Sequence, residues 1–167
     1  IDMERGEGIG IGEKYNVTAF PTFLILDSEG NEVGRAIGGG NADTFLNKIK
    51  KAMNPENDPS RLKKRYEETR QVGDAIKYLD TLKTLRLTDQ ANSFVEEIFS
   101  QLSARDKYTQ AMWPYIAQAL NGKGGLDLIG KLLAERHYAH RSLGSELPTR
   151  EINRAIKGFA TQYVRGE

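Results

Sequence analysis

Apolar residues run almost unbroken through Phe20-Pro21-Thr22-Phe23-Leu24-Ile25-Leu26-Asp27. A run of this length, rich in β-formers, predicts a strand covered on both faces. Asp27-Ser28-Glu29-Gly30-Asn31 follows as a turn, and Glu32 to Ile37 predicts a shorter return strand, so the pair forms a hairpin. Gly38-Gly39-Gly40 breaks the chain, and Asn41 is placed to cap a helix carrying Ala42, Phe45, Leu46, Ile49 and Met53 at helical spacing. Upstream, Gly8 to Tyr15 predicts a short helix, although Gly10 and Gly12 each cost about 1 kcal/mol against Ala. The order helix, strand, hairpin strand, helix supplies too few strands to close a sheet by itself.

After residue 59 the pattern changes to helical periodicity only. Six helices are expected. Leu62 and Tyr66 mark the first; Ala75, Ile76, Leu79 and Leu82 the second, after Gly73-Asp74. The third follows Thr88-Asp89 and carries Ala91, Phe94, Val95, Ile98, Phe99 and Leu102. Met112, Trp113, Ile116 and Leu120 form the fourth around Pro114, ended by Asn121-Gly122-Lys123-Gly124-Gly125. Leu126, Ile129, Leu132, Leu133 and Tyr138 give the fifth. The sixth starts near Pro148-Thr149 and carries Ile152, Ala155, Ile156, Phe159 and Tyr163. Short loops between amphipathic helices predict antiparallel neighbours in a bundle or an array of helical hairpins. The texture resembles tetratricopeptide repeats, but no segment carries their full consensus. Between the two regions, Met53-Asn54-Pro55-Glu56-Asn57-Asp58-Pro59-Ser60 is a linker that ends in a helix start, with Asp58 as N-cap and Pro59 at the first helical position. The expected organisation is therefore residues 1–53, a linker over 54–60, and an all-α domain over 61–167.

Composition narrows the function classes. Of 167 residues, 38% are hydrophobic and 28% charged, enough to bury a core. No apolar run approaches the ~20 residues of a membrane-spanning helix. The net charge of +1 comes from mixed signs, which argues against a nucleic-acid partner. With no Cys, disulfides, cysteine nucleophiles, thiolate metal sites and dithiol chemistry within this chain are excluded. The first residues, Ile1-Asp2-Met3-Glu4-Arg5-Gly6, show no signal-peptide pattern and resemble the tail of a strand entering a loop. The expectation is a chain that begins inside a fold, as a fragment of a longer protein.

Lys14-Tyr15-Asn16-Val17-Thr18-Ala19-Phe20-Pro21-Thr22-Phe23-Leu24, with Asp27-Ser28-Glu29-Gly30-Asn31-Glu32-Val33 and Ile37-Gly38-Gly39, resembles the C-terminal half of a thioredoxin fold. In that family a helix ending in Tyr-x-Val leads to Pro-Thr, an apolar strand, a turn with Gly, a second strand, a Gly and a last helix. The resemblance covers residues 1–53 and implies an α/β, partial thioredoxin-like fold ahead of the helical bundle. It implies a cis peptide before Pro21, and a substrate-binding loop of Phe20, Pro21 and Thr22. In that loop the main chain of Phe20 pairs with an extended protein or peptide substrate. The family's Trp-Cys-x-x-Cys motif is absent, so the resemblance implies no catalytic residue here: the dithiol would lie upstream of Ile1, and the chain alone would be redox-inactive. The helical region, with Leu132-Leu133-Ala134-Glu135-Arg136-His137-Tyr138 and Glu151-Ile152-Asn153, is similar to helical tails of thioredoxin-family proteins of Bacteroidetes-type bacteria. That similarity implies an extracytoplasmic, periplasmic location. The reading from another class is a non-enzymatic interaction module that works through its helices.

Other constellations have plainer readings. His137 and His140 share a helix face beside Glu135, but no further ligand cluster completes a metal site. Gly6-Glu7-Gly8-Ile9-Gly10-Ile11-Gly12 does not fit the dinucleotide fingerprint from either Gly6 or Gly8, and no cofactor is expected. Gly38-Gly39-Gly40 offers N–H groups to an anion or simply turns the chain. Met112, Trp113, Tyr115 and Ile116 form either a core cluster or an exposed peptide-binding patch, the spacing favouring core. Lys48-Ile49-Lys50-Lys51 and Arg61-Leu62-Lys63-Lys64-Arg65 are solvated helix faces. Without the preceding strands, Phe23–Leu26 presents an unpaired apolar edge, so a homo-oligomer through that edge is expected.

Overall fold

The computed structural model describes residues 5–165. It is mostly helical, with one small antiparallel sheet. The chain divides into two compact units, one up to Leu87 and one from Thr88 onward. The strand tail expected at Ile1-Asp2-Met3 lies outside the described residues.

The first unit opens with α1 (Glu7–Lys14), followed by β1 (Thr22–Leu26), β2 (Glu32–Ile37) and α2 (Ala42–Ala52). The strands pair antiparallel from Thr22 opposite Ile37 to Leu26 opposite Glu32, with an irregularity between Ile25 and Leu26. The turn is held by the Asp27 carboxylate, which accepts from the main-chain N–H of Glu29 and of Asn31 at 2.9 and 2.8 Å. Gly30 supplies the left-handed φ of 80° that the turn needs. Asn41 caps α2 as expected, its side chain accepting from Thr44 N–H at 2.9 Å. Gly34 is where α2 crosses the sheet: a Cβ there would lie 2.1 Å from the Ala52 carbonyl oxygen.

The expectation that β1 is covered on both faces is corrected. Phe23 and Leu26 are exposed, and no residue of β1 is fully buried. Among the described residues the sheet has two strands only, so an apolar run that would suit a central strand is left with one strand neighbour.

A 3₁₀ turn over Pro55–Asn57 leads into α3 (Pro59–Thr69) and α4 (Val72–Thr84). Asp58 caps α3 through Ser60 N–H at 2.9 Å, with Pro59 in the first turn. Asp74 at the start of α4 clips the two helices together, accepting from Thr69 Oγ1 at 2.7 Å and pairing with Arg65 at 2.9 Å. Leu62, Tyr66, Ala75, Leu79 and Leu82 form the core here. These two helices fall in the same compact unit as the hairpin. The linker is tied down rather than free: Asn57 Nδ2 donates to the Lys51 carbonyl at 2.9 Å. Gly34 and Ala52 line one cavity with Thr81 and Leu85, next to the end of α4.

The second unit contains α5 (Thr88–Phe99), α6 (Ala104–Lys107), α7 (Trp113–Ala119), α8 (Gly125–Ala134), α9 (Arg136–Leu143) and α10 (Glu146–Arg165). Phe94, Val95, Ile98, Phe99, Tyr108, Met112, Ile116, Leu120, Leu128 and Leu132 are buried. Met112, Trp113, Tyr115 and Ile116 are all buried, so the cluster is core rather than an exposed patch. Two expectations change. The fifth helix is broken at Glu135 into α8 and α9, and α6 is an additional short helix. In α10, Ile152 and Ala155 are buried but Ile156 and Tyr163 are exposed, because the far half of this helix extends past its packing neighbours within the unit.

Candidate functional site

The loop between α1 and β1 is built by contacts distant in sequence. Arg35 of β2 is 4% exposed and holds the end of α1 from below. Its guanidinium donates to the Tyr15 carbonyl, to the Asn16 carbonyl at 3.3 Å and, through Nε and Nη2, to both oxygens of Glu32 at 2.7 Å. A cation on the last carbonyls of a helix satisfies groups the helix leaves unpaired and complements its dipole. Tyr15 O–H donates to the Gly30 carbonyl at 2.8 Å, anchoring α1 to the hairpin turn.

The loop then reaches Phe20 and Pro21, whose peptide bond is cis, as the resemblance implies. Thr22 Oγ1 donates to the Ala19 carbonyl at 2.6 Å and closes the loop. The Pro21 carbonyl accepts from Gly38 N–H at 2.8 Å. Phe20 is 69% exposed, and among the described residues neither of its main-chain groups is hydrogen-bonded. A cleft of about 970 Å³ opens here, lined by Ile11, Val17, Phe20, Pro21, Phe23 and Leu24 among others. Its side chains are mainly apolar, and Phe23 is braced from behind by an edge-on contact with Phe45 at 4.7 Å. The three predicted loop residues thus come together at one end of β1, beside an apolar cleft and an unpaired main-chain segment.

The Gly38-Gly39-Gly40 turn does not present itself to an anion. Lys48 Nζ donates to the carbonyls of Ile37, Gly38 and Gly39 at 3.0, 3.2 and 3.0 Å, and Gly38 N–H is already used by Pro21. His137 packs on Tyr138 at 3.9 Å, and His140 Nε2 lies 3.5 Å from Thr149 Oγ1. Among the described residues no group of three or more metal-ligating side chains converges.

Sequence reasoning missed a polar cluster in the second unit. Lys107 is 4% exposed and its ammonium contacts Glu135 Oε2 at 2.6 Å, 4.5 Å from the centre of the Phe99 ring. Tyr108 O–H donates to Glu135 Oε2 at 2.9 Å. Burial, then the hydrogen bond to Glu135, pushes the Tyr108 hydroxyl well above its ordinary pKa. Partial burial pushes Glu135 upward, but the bonds from Lys107 and Tyr108 and the charges of Lys107 and His137 outweigh it and leave the carboxyl below its ordinary range. Every polar group in this cluster has a partner, which marks it as a brace at the α8–α9 break.

No protein-family model, curated protein or solved structure matches this chain.

Proposed function

We propose that this chain is the C-terminal portion of a thioredoxin-family thiol–disulfide oxidoreductase, in which Phe20, Pro21 and Thr22 form the substrate-binding loop. The observation that supports it best is the unpaired main chain of Phe20, beside an apolar cleft and leading directly into a hairpin. An extended peptide has N–H and C=O groups to satisfy on each edge, and strand addition to such a segment satisfies them. Side chains of the peptide would rest on Ile11, Val17 and Phe23. The order of Pro-Thr, apolar strand, Gly turn, second strand, Gly and capped helix gives further support.

Sulfur chemistry is no part of this chain's contribution, since it has no Cys. Its role in the proposed parent is to position the substrate; the attacking thiolate comes from upstream. An extracytoplasmic location belongs to the same proposal. The test is the coding sequence preceding Ile1. An in-frame Trp-Cys-x-x-Cys at thioredoxin spacing is the expected result. An upstream region without it overturns the proposal and leaves a binding module that works through its helices. The pure chain is expected to give no disulfide reduction with a dithiol donor, and clear turnover would also overturn the reading.

A further inference from the structure

The apolar side of α10 is wider than the part that the second unit covers. Pro148, Ile152 and Ala155 are buried, at the i, i+4 and i+7 spacing of one helix face. The following turns carry a second stripe, Ile156, Ala160, Tyr163 and Val164, whose spacing places it on the adjoining side of the helix. All four are exposed, Ile156 at 44%, Tyr163 at 87% and Val164 at 85%. The buried face already holds α10 in the unit, so the second stripe contributes nothing to the core. A contiguous exposed apolar stripe of this kind marks a contact surface.

Charge says what the contact is. From Ile152 to Arg165 the helix has no acidic residue, and its charges are Arg154, Lys157 and Arg165. All three are exposed, and none makes an ion pair among the described residues. Lys157 and Val164 are seven positions apart, so a cation borders the apolar stripe directly, and the two arginines continue the basic side round the helix. The complement to this arrangement is a surface that is apolar beneath and anionic above. A bilayer with acidic lipids has that order, acyl chains below and phosphates at headgroup level. Tyr163 suits the boundary, where its ring is covered and its hydroxyl stays in water. A single acidic helix would offer carboxylates along one line. The three cations here spread from the edge of the stripe well round the helix, and the long stems of Lys and Arg reach a continuous anionic surface from such positions.

We propose that the far half of α10 docks on an anionic lipid surface. Ile156, Ala160, Tyr163 and Val164 enter the headgroup boundary, and Lys157, Arg154 and Arg165 pair with lipid phosphates. The helix lies on the membrane and does not cross it. This inference does not rest on the oxidoreductase reading, and the surface lies in the other unit.

The full chain would be sedimented with vesicles of phosphatidylcholine alone and of equal parts phosphatidylcholine and phosphatidylglycerol. Binding to the anionic vesicles, weak or absent on the neutral ones and reduced by high salt, is expected. Lys157→Ala should weaken it about fivefold, the share of one cation near an anionic surface. Tyr163→Ser, at a site too exposed to affect folding, should weaken it about tenfold by removing apolar area. Lys77→Ala, an exposed cation of the first unit, should leave binding unchanged. No sedimentation with anionic vesicles, equal binding to both compositions, or unchanged binding in both Lys157→Ala and Tyr163→Ser would overturn the proposal. A soluble amphipathic peptide of Glu and Leu would be titrated in parallel; its binding to a chain that ignores vesicles would overturn the proposal in favour of an acidic protein partner.

Discussion

Lys107 and Glu135 form an ion pair in the second unit in which the cation is buried. The ammonium is buried, and its one carboxylate partner is 35% exposed on the side chain. Because folding holds the Glu135 pKa below its ordinary 4.5, the unfolded state binds the proton more readily. The pair's contribution is therefore complete above that ordinary value and is lost as pH falls through the lower folded value. Glu135→Ala strands the Lys107 charge. It should cost about 2–3 kcal/mol, less than the ~3–5 of a fully buried pair because water reaches Glu135. Urea unfolding at pH 7 and at pH 3.5 checks both statements: the deficit of Glu135→Ala should shrink at the lower pH. An unchanged deficit would show that the loss comes from packing instead.

At the scale of elements, local signals were legible and remote ones were not. The β2 boundaries, the Asn41 and Asp58 caps and the Asp27–Asn31 turn follow from residues a few positions apart, so propensity and capping chemistry were sufficient. The break at Glu135 was hidden because Leu126 to Tyr138 is apolar at helical spacing throughout, while the groups that hold Glu135 sit 27 and 28 residues away. Arg35 was equally hidden, since its carbonyl partners lie 19 and 20 residues earlier. At the candidate site the loop residues were legible through the resemblance; the cleft and the free main chain of Phe20 were not, because they depend on how α1 meets the hairpin. The contact of α2 with β2 leads to a prediction of its own. Gly34→Ala would drive a methyl into the Ala52 carbonyl, which is backbone and cannot rotate away. Destabilisation of roughly 1–3 kcal/mol is expected by denaturant titration, as for an overpacked core site. A neutral result would show that α2 can shift along the sheet.

For the molecule as a whole, the outer edge of β1 is the main exposed liability. A two-stranded sheet leaves one side of β1 without a ladder among the described residues, and Phe23 and Leu26 add apolar surface beside it. Edges of this kind recruit strands from other chains. Concentration-dependent self-association is expected by light scattering, and Leu26→Lys should suppress it by placing a charge at the edge. A strictly monomeric species at high concentration would refute the expectation.

Burial also gives the lysines of this protein unequal chemistry. An acylating reagent must reach the amine, and Lys107 is shut away from solvent with its Nζ held against Glu135. Lysines such as Lys123, out in water, react without any movement of the fold. Lys107 therefore stays unmodified for as long as α6 remains seated. A modified Lys107 would be a lasting chemical record of an opening too rarely populated to be seen directly.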